Sequence, residues 1–345
     1  MIKIAVDAMG GDYAPAEIVK GVEEARDRYP ELTFLLFGIE DQVVPLIQNQ
    51  ERINFVATTE VIAMGDEPVK AMRDKQDSSM VRAAQAVKDG EADALFSAGN
   101  TGALLSSAIF IVGRIKGVDR PALATAIPAV DAKNGHNQFI FMDLGANAES
   151  KPAHLYQYGI LGSFYASHML GYDNPTVRLL NNGAEEDKGD EVHKEAHQLM
   201  KQSSDFNFLG NVEARELLEG TADVVVADGF SGNAALKSME GTALVILGQL
   251  KKAIMNGGLR GKLGALMLKP ALKKLKGQLD FNNQGGAVVL GVNAPVVKTH
   301  GSAKATAVAN TMGQIKMMVE QNLVPDTAAF IAENKDKLKV KKSAN

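Results

Sequence analysis

The chain has 345 residues, 46% of them hydrophobic, enough to bury a full core as one large α/β domain or two joined lobes. A formal charge of −4, 6% aromatics and no Trp weigh against nucleic acid as a partner, since such binders combine a basic balance with stacking rings. With no Cys, disulfides, thiolate metal sites and a cysteine-bound acyl intermediate are excluded, and a reducing cytoplasm suits the composition.

Short apolar runs alternate with longer helix-period stretches, the pattern of βα units and a mainly parallel sheet. The sequence predicts strands over Ile2–Val6, Thr33–Phe37, Ile53–Val56, Ala94–Phe96, Leu123–Ile127, Phe139–Asp143, Thr176–Leu180, Phe206–Leu209, Val224–Ala227 and Ala287–Leu290. Helices are expected over Ala16–Arg28, Met80–Asp89, Ala153–Leu170, Asp190–Lys201 and Ala303–Gln321. Residues 1–330 read as a single α/β/α sandwich, and 331–345 as a lysine-rich tail that is solvated or frayed. Met1 leads straight into the first strand with no basic stretch before an apolar region, so no export signal is expected. No apolar run approaches the roughly 18 residues that span a bilayer, so any membrane contact is expected to be peripheral.

Four strands run into loops of glycine, small residues and amides: Asp7–Asp12 with Gly10 and Gly11, Ser97–Leu104 with Asn100, Thr101 and Gly102, Asp143–Asn147, and Asp228–Asn233 with Gly229, Ser231 and Gly232. In a parallel sheet such loops gather at the carboxyl edge, where ligands bind. Glycines there let backbone N–H groups approach an oxyanion, and a following helix N-terminus favours negative charge. One such loop is ordinarily a tight turn; four together point to a phosphate-sized cradle. No G-x-x-x-x-G-K-[ST] and no G-x-G-x-x-G with an acidic ribose partner occurs, so small phosphate fits better than a nucleotide.

Two further segments bring charge to this edge. Leu179–Gly189 carries Asn181 and Lys188; the lysine is either an anion ligand or an exposed helix-start residue paired with Glu185. Val292–Ser302 carries Lys298 and His300 ahead of Gly301 and Ser302, and these two side chains, flanking Thr299 in an extended segment, can share one face. His193 and His197 are spaced i, i+4, but the Glu of a zinc H-E-x-x-H motif is missing, so a solvated helix face is expected, and no metal. His136, His154 and His168 read as structural. Asp7, Asp12, Asp143 and Asp228 read as N-caps or turn closers in preference to Mg²⁺ ligands.

Taken word for word, DAMGGD followed by AP, SAGNTGAL, DLGAN, LLNNGAEEDKG, VVVADGFSGN and GVNAPVVKTHGS resemble the bacterial phosphate acyltransferase (PlsX) family, from the first strand to about Gln321. The resemblance implies a homodimer with a fold like phosphotransacetylases and isopropylmalate dehydrogenases. It implies transfer of a long fatty acyl group from acyl-carrier protein to inorganic phosphate, without a cofactor. The product would be an acyl phosphate, which a downstream glycerol-3-phosphate acyltransferase uses in phospholipid synthesis. Phosphate is already an ionised nucleophile near neutrality, so amide donors and a lysine suffice. On this reading Lys188 neutralises charge and Asn233 binds the oxyanion. Asn100, Thr101, Gly102, Asn181, Lys298 and His300 then position phosphate and substrate. A phosphotransacetylase acting on short acyl-CoA, behind it a dehydrogenase of the related fold, and a non-catalytic membrane scaffold are the rival readings.

Between Glu240 and Asp280 the chain has no acidic residue and eight basic ones, while the rest holds 29 basic against 41 acidic. The helix after Ser231 is expected to reach about Asn256, turn at Gly257–Gly258, and continue as a second amphipathic stretch kinked at Pro270. Leu259, Leu263 and Leu266 recur at helical spacing among Arg260, Lys262, Lys269 and Lys273. Residues 240–279 thus read as a protruding hairpin at a dimer tip. Either it packs on its dimer partner, or it contacts an anionic membrane or acidic carrier protein at the inner face of the cell membrane.

Overall fold

The computed structural model describes residues 1–258, 263–271 and 285–335. Among them lie eleven strands in one sheet: β1 (Ile2–Asp7), β2 (Leu32–Gly38), β3 (Ile53–Ala57), β4 (Ala94–Ser97), β5 (Ala122–Pro128), β6 (Gln138–Met142), β7 (Thr176–Asn181), β8 (Asn207–Glu213), β9 (Val224–Val226), β10 (Ala287–Leu290) and β11 (Val296–Lys298). Their order is β3-β2-β1-β4-β11-β10-β5-β6-β9-β7-β8. The ten predicted strands form within a few residues of their expected ends. β11 was expected only as extended chain, because three apolar-to-basic residues carry no alternation to read.

Alternation along these strands divides the interior into two cores. Ile4, Val6, Val224 and Val226 face one side, where they meet the helices Ala16–Arg28, Pro152–Leu170 and Ala305–Glu320. Ala5, Val225, Leu123 and Ile127 face the other, against the helices Ser79–Lys88 and Thr101–Ser107. Elements not among those expected include Glu40–Val43, Pro68–Asp74, Thr101–Ser107, hidden inside a glycine loop, and Leu323–Glu333, which crosses the expected start of the tail.

The sheet is mostly parallel, but not throughout. β10 runs antiparallel to both β11 and β5, and β5 runs antiparallel to β6. After these three reversals β6, β9 and β7 point opposite to β1, β4 and β11. The expected single carboxyl edge is therefore corrected: the loops after β1 and β4 leave one end of the strands, and those after β6 and β9 leave the other.

The helix Gly229–Asn256 starts under an Asp228 N-cap whose carboxylate accepts from the Ser231 N–H at 2.9 Å, and ends at Gly257, as the sequence predicts. Its base carries Ala235, Leu236 and Met239 against the second core. Farther along, Leu244, Val245 and Ile246 are more than half exposed. A second helix covers 263–271, with Leu263 and Leu266 exposed. Leu259, Arg260, Lys262 and Lys273 lie outside the described residues. No described helix is long and apolar enough to cross a membrane.

Close helix packing gives a first test. Gly21 lets Ala16–Arg28 lie on Ala305–Glu320, since a Cβ there would come within 2.5 Å of the Val308 Cβ. In Gly21→Ala the gain in helix propensity, about 1 kcal/mol, opposes an overpacking cost of about 1–3 kcal/mol. Net destabilisation is expected, read as a lower urea midpoint with unchanged slope.

Candidate active site

On the second face of the sheet, over β5, lies a cavity of about 510 Å³. Leu123, Thr125 and Ile127, alternate residues of β5, form its floor. One wall comes from Thr101, Gly102 and Leu105 and from Lys298, Thr299, His300 and Gly301. The other comes from Leu144 and Gly145 after β6 and from Asn233, Leu236, Lys237 and Glu240 of the long helix. Gly285, Gly286 and Ala287 complete the lining, with Asp12 and Met64.

The first wall is tied together by Asp7, which is 2% exposed. Its carboxylate accepts from Ser79 Oγ at 2.5 Å, Ser97 Oγ at 2.7 Å and the Met9 N–H at 3.2 Å, and Ser97 Oγ in turn accepts from the Gly99 N–H. Burial pushes the Asp7 carboxyl up, while these hydrogen bonds and the nearby Lys298 charge pull it down; the net direction is upward. Gly10 packs where a Cβ would strike Asp7 and the Gly99 nitrogen, so it serves the join between loops and not the lining. Gly11, at φ 114°, lies against the Gly301 carbonyl, and the Asp12 N–H donates to that carbonyl at 2.8 Å.

Asn100 caps the Thr101–Ser107 helix, its Oδ1 accepting from the Ala103 N–H at 3.0 Å. Its Nδ2 donates to the carbonyls of Ala63, Met64 and Asp66, so the side chain is spent on the fold while Thr101 and Gly102 face the cavity. Lys298 is 7% exposed and donates from Nζ to the carbonyls of Ala98 at 3.1 Å and Thr299 at 2.6 Å. Burial pushes its pKa down to about 8, against the upward pull of Asp7 and Asp12. His300 is exposed and shares a 2.7 Å contact between Nδ1 and Ser302 Oγ. Lys298 and His300 both line this cavity.

Below the second wall, at the start of the long helix, the largely buried Asp228 side chain lies beside His193, whose Nε2 lies 3.4 Å from its Oδ2 and whose Nδ1 lies 2.7 Å from Asp190. Burial raises the Asp228 pKa, but the His193 and Ser231 interactions outweigh it and hold the carboxyl well below the usual range. The same contact to Asp228 leads in raising the His193 pKa above its ordinary value. His193 and His197 are therefore corrected from the solvated face expected of them: His197 is 3% exposed and meets Asn211 at 2.9 Å. Asp190 caps the histidines' own helix three residues before His193, but Asp228 and Asn211 belong to other elements, and those contacts are the ones spacing alone missed.

Lys188 is exposed, on the turn after β7, where its carbonyl accepts from Asn181 Nδ2 and its N–H donates to the Glu185 carbonyl. Thus Asn233, Thr101, Gly102, Lys298, His300 and Gly301 meet in one cavity. Lys188, Asn181, Asp228, Gly229, Ser231, Gly232 and Ser302 lie outside its lining. Thr125 is a lining residue the sequence reading passed over; its signal was the alternation Leu123, Thr125, Ile127.

Phosphotransacetylases share this mainly parallel α/β/α fold. A phosphotransacetylase from Streptococcus pyogenes superposes with a TM-score of 0.60 at 16% identity, covering 94% of each chain. The fatty acid synthesis protein family matches residues 2–325. A phosphate acyltransferase from Leuconostoc mesenteroides is 75% identical over 99% of each chain, and one from Oenococcus oeni is 60% identical over 98% of this chain and 97% of the relative. The chain belongs to this phosphate acyltransferase family, and it is an acyltransferase.

Were Lys298 to hold an anion, that binding would depend on pH, because its ammonium is lost as pH rises through about 8. Sulfate keeps its charge over this range, so its affinity is expected to fall at least about tenfold between about pH 7 and about pH 9.5 by isothermal titration. Lys298→Gln should flatten that dependence. For stability the sign is opposite: a lysine whose folded pKa is depressed is favoured neutral when folded, so its burial penalty fades as pH rises from about 8 towards the ordinary lysine value.

Proposed function

We propose that the protein transfers a long fatty acyl group from acyl-carrier protein to inorganic phosphate, supplying acyl phosphate for phospholipid synthesis. The observation that carries this reading is the composition of the cavity: a buried Lys298 ammonium and the first turn of a capped helix face an apolar floor of Leu123 and Ile127. Phosphate is held by Lys298 and by the N-terminal turn at Thr101 and Gly102, and the acyl chain lies on the leucines and isoleucine. A phosphate oxygen attacks the thioester carbonyl carbon, forming the C–O bond. The carbonyl oxygen becomes an oxyanion that accepts from Asn233 Nδ2, and collapse breaks the C–S bond, releasing the thiolate for protonation. Lys188, exposed on its turn, neutralises the charge of the incoming phosphate, and His300 positions it.

We place the protein as a homodimer on the inner face of the cell membrane. The exposed Leu244, Val245, Ile246, Leu263 and Leu266 offer apolar surface, and the lysines around them suit lipid headgroups or acidic carrier protein. A lysine near an anionic surface contributes about 1 kcal/mol. The acyl phosphate then passes to a glycerol-3-phosphate acyltransferase.

Incubation of the purified protein with palmitoyl-carrier protein and phosphate is expected to release free thiol without ATP or nicotinamide. Activity with acetyl-CoA alone would sink the long-chain reading, and no turnover with either donor would sink acyl transfer to phosphate. Asn233→Ala should lower kcat about 10² to 10³-fold while the circular dichroism spectrum is unchanged. Flotation with anionic liposomes should weaken when Leu263 and Leu266 are both changed to Glu; unaltered flotation would count against insertion.

A further inference from the structure

Asp143 is fully buried at the end of β6, and its carboxylate is met by four N–H donors. Oδ1 accepts from the N–H groups of Leu123 and Ala146, each at 3.0 Å, and Oδ2 accepts from the Asn147 N–H and Nδ2, each at 2.9 Å. Asn147 Nδ2 also reaches the Pro121 carbonyl at 2.8 Å and Tyr158 Oη at 3.0 Å. One side chain therefore joins the cavity floor, through Leu123, to the cavity wall, through the loop that holds Leu144 and Gly145.

The helix that carries Asn233 is seated on this loop. A Cβ at Gly229 would overlap the Asn147 carbonyl oxygen, and a Cβ at Gly232 would overlap the Asp143 carbonyl oxygen, so the helix start and the loop backbone are in direct contact. Gly145 adopts φ 109°, and a Cβ there would lie 3.3 Å from the Asn233 carboxamide carbon. The Asn233 side chain thus rests against a loop whose shape the Asp143 carboxylate fixes.

The geometry points to Asp143 as a positioning residue for acyl transfer, acting through Asn233. It rests on the oxyanion role of Asn233 given above. Misplacement of a reacting group by about 1 Å costs about 10²-fold in rate, so a loop anchored by four donors is the right device for holding a carboxamide in register with the floor strand. Replacing the carboxylate by an amide turns one acceptor into a donor that faces other donors. The loop must then move, and Asn233 moves with it.

The test is a double-mutant cycle on kcat and KM, read as thiol release from an acyl thioester with phosphate. Asp143→Asn is expected to lower kcat about 30-fold or more with KM for the acyl donor within about twofold, because the interaction is made in the transition state. In the Asn233→Ala background the same change should cost less than about threefold, since two residues acting as one unit are not additive. Wild-type kcat in Asp143→Asn, or a loss that multiplies that of Asn233→Ala, overturns the inference. A full-rate Asn233→Ala enzyme instead removes the oxyanion role of Asn233, and this inference with it. Should Asp143→Asn fail to fold, Gly145→Ala takes its place in the cycle. It leaves the carboxylate intact but strains the loop against Asn233, with the same non-additivity expected and the same multiplicative outcome overturning the coupling.

Discussion

The cavity depends on two buried carboxylates held by hydrogen-bond donors. Asp7 closes β1 and Asp143 follows β6, and each gathers backbone and side-chain donors from neighbouring loops. Taking an ionised carboxylate out of water costs several kcal/mol, and the donors offset it only in part, since burial still leaves both carboxyls raised. What results is rigidity at two points beside the same opening. Thr101 and Gly102 line the opening on one side of these points and Asn233 lines it on the other.

The reversal of strand direction at the centre of the sheet explains why these two points face each other. With all strands parallel, the loops after β4 and β6 would stand side by side on one edge. The antiparallel contacts of β5 with β10 and β6 send them to opposite ends, and β5 passes between as an apolar floor. The two halves then mirror one another in construction. Each has a buried carboxylate at a strand end, a glycine contact that only bare backbone permits, and a helix capped by a short polar side chain, Asn100 or Asp228.

The strands and major helices were legible because apolar periodicity was strong, and the glycine loops were legible because they follow strands directly. The strand directions were not, since Ala122–Pro128 and Ala287–Leu290 read the same whichever way they pair. Lys298 and His300 were legible as a pair sharing one face of an extended segment. The partition of the loop residues was not. Asn100 and Thr101 are adjacent in sequence, yet one is consumed by three carbonyls and the other lines the cavity. His193 shows the same limit, because Asp228 lies on another element and reaches it only through the fold.

The helix Gly229–Asn256 joins two environments with different mechanical demands. From Gly229 to Glu240 it is seated on the Asp143 loop and lines the cavity, so its position must be fixed. Beyond Glu240 come Gly241 and Gly248, where a Cβ would meet nothing within 4 Å, so packing does not require glycine at either position. Each glycine weakens a helix interior by about 1 kcal/mol relative to alanine. The exposed half is consequently easier to bend or unwind than the seated half. Bending along the apolar outer stretch can leave the turn bearing Asn233 in place, so the exposed half of the helix is mechanically separated from the half that lines the cavity.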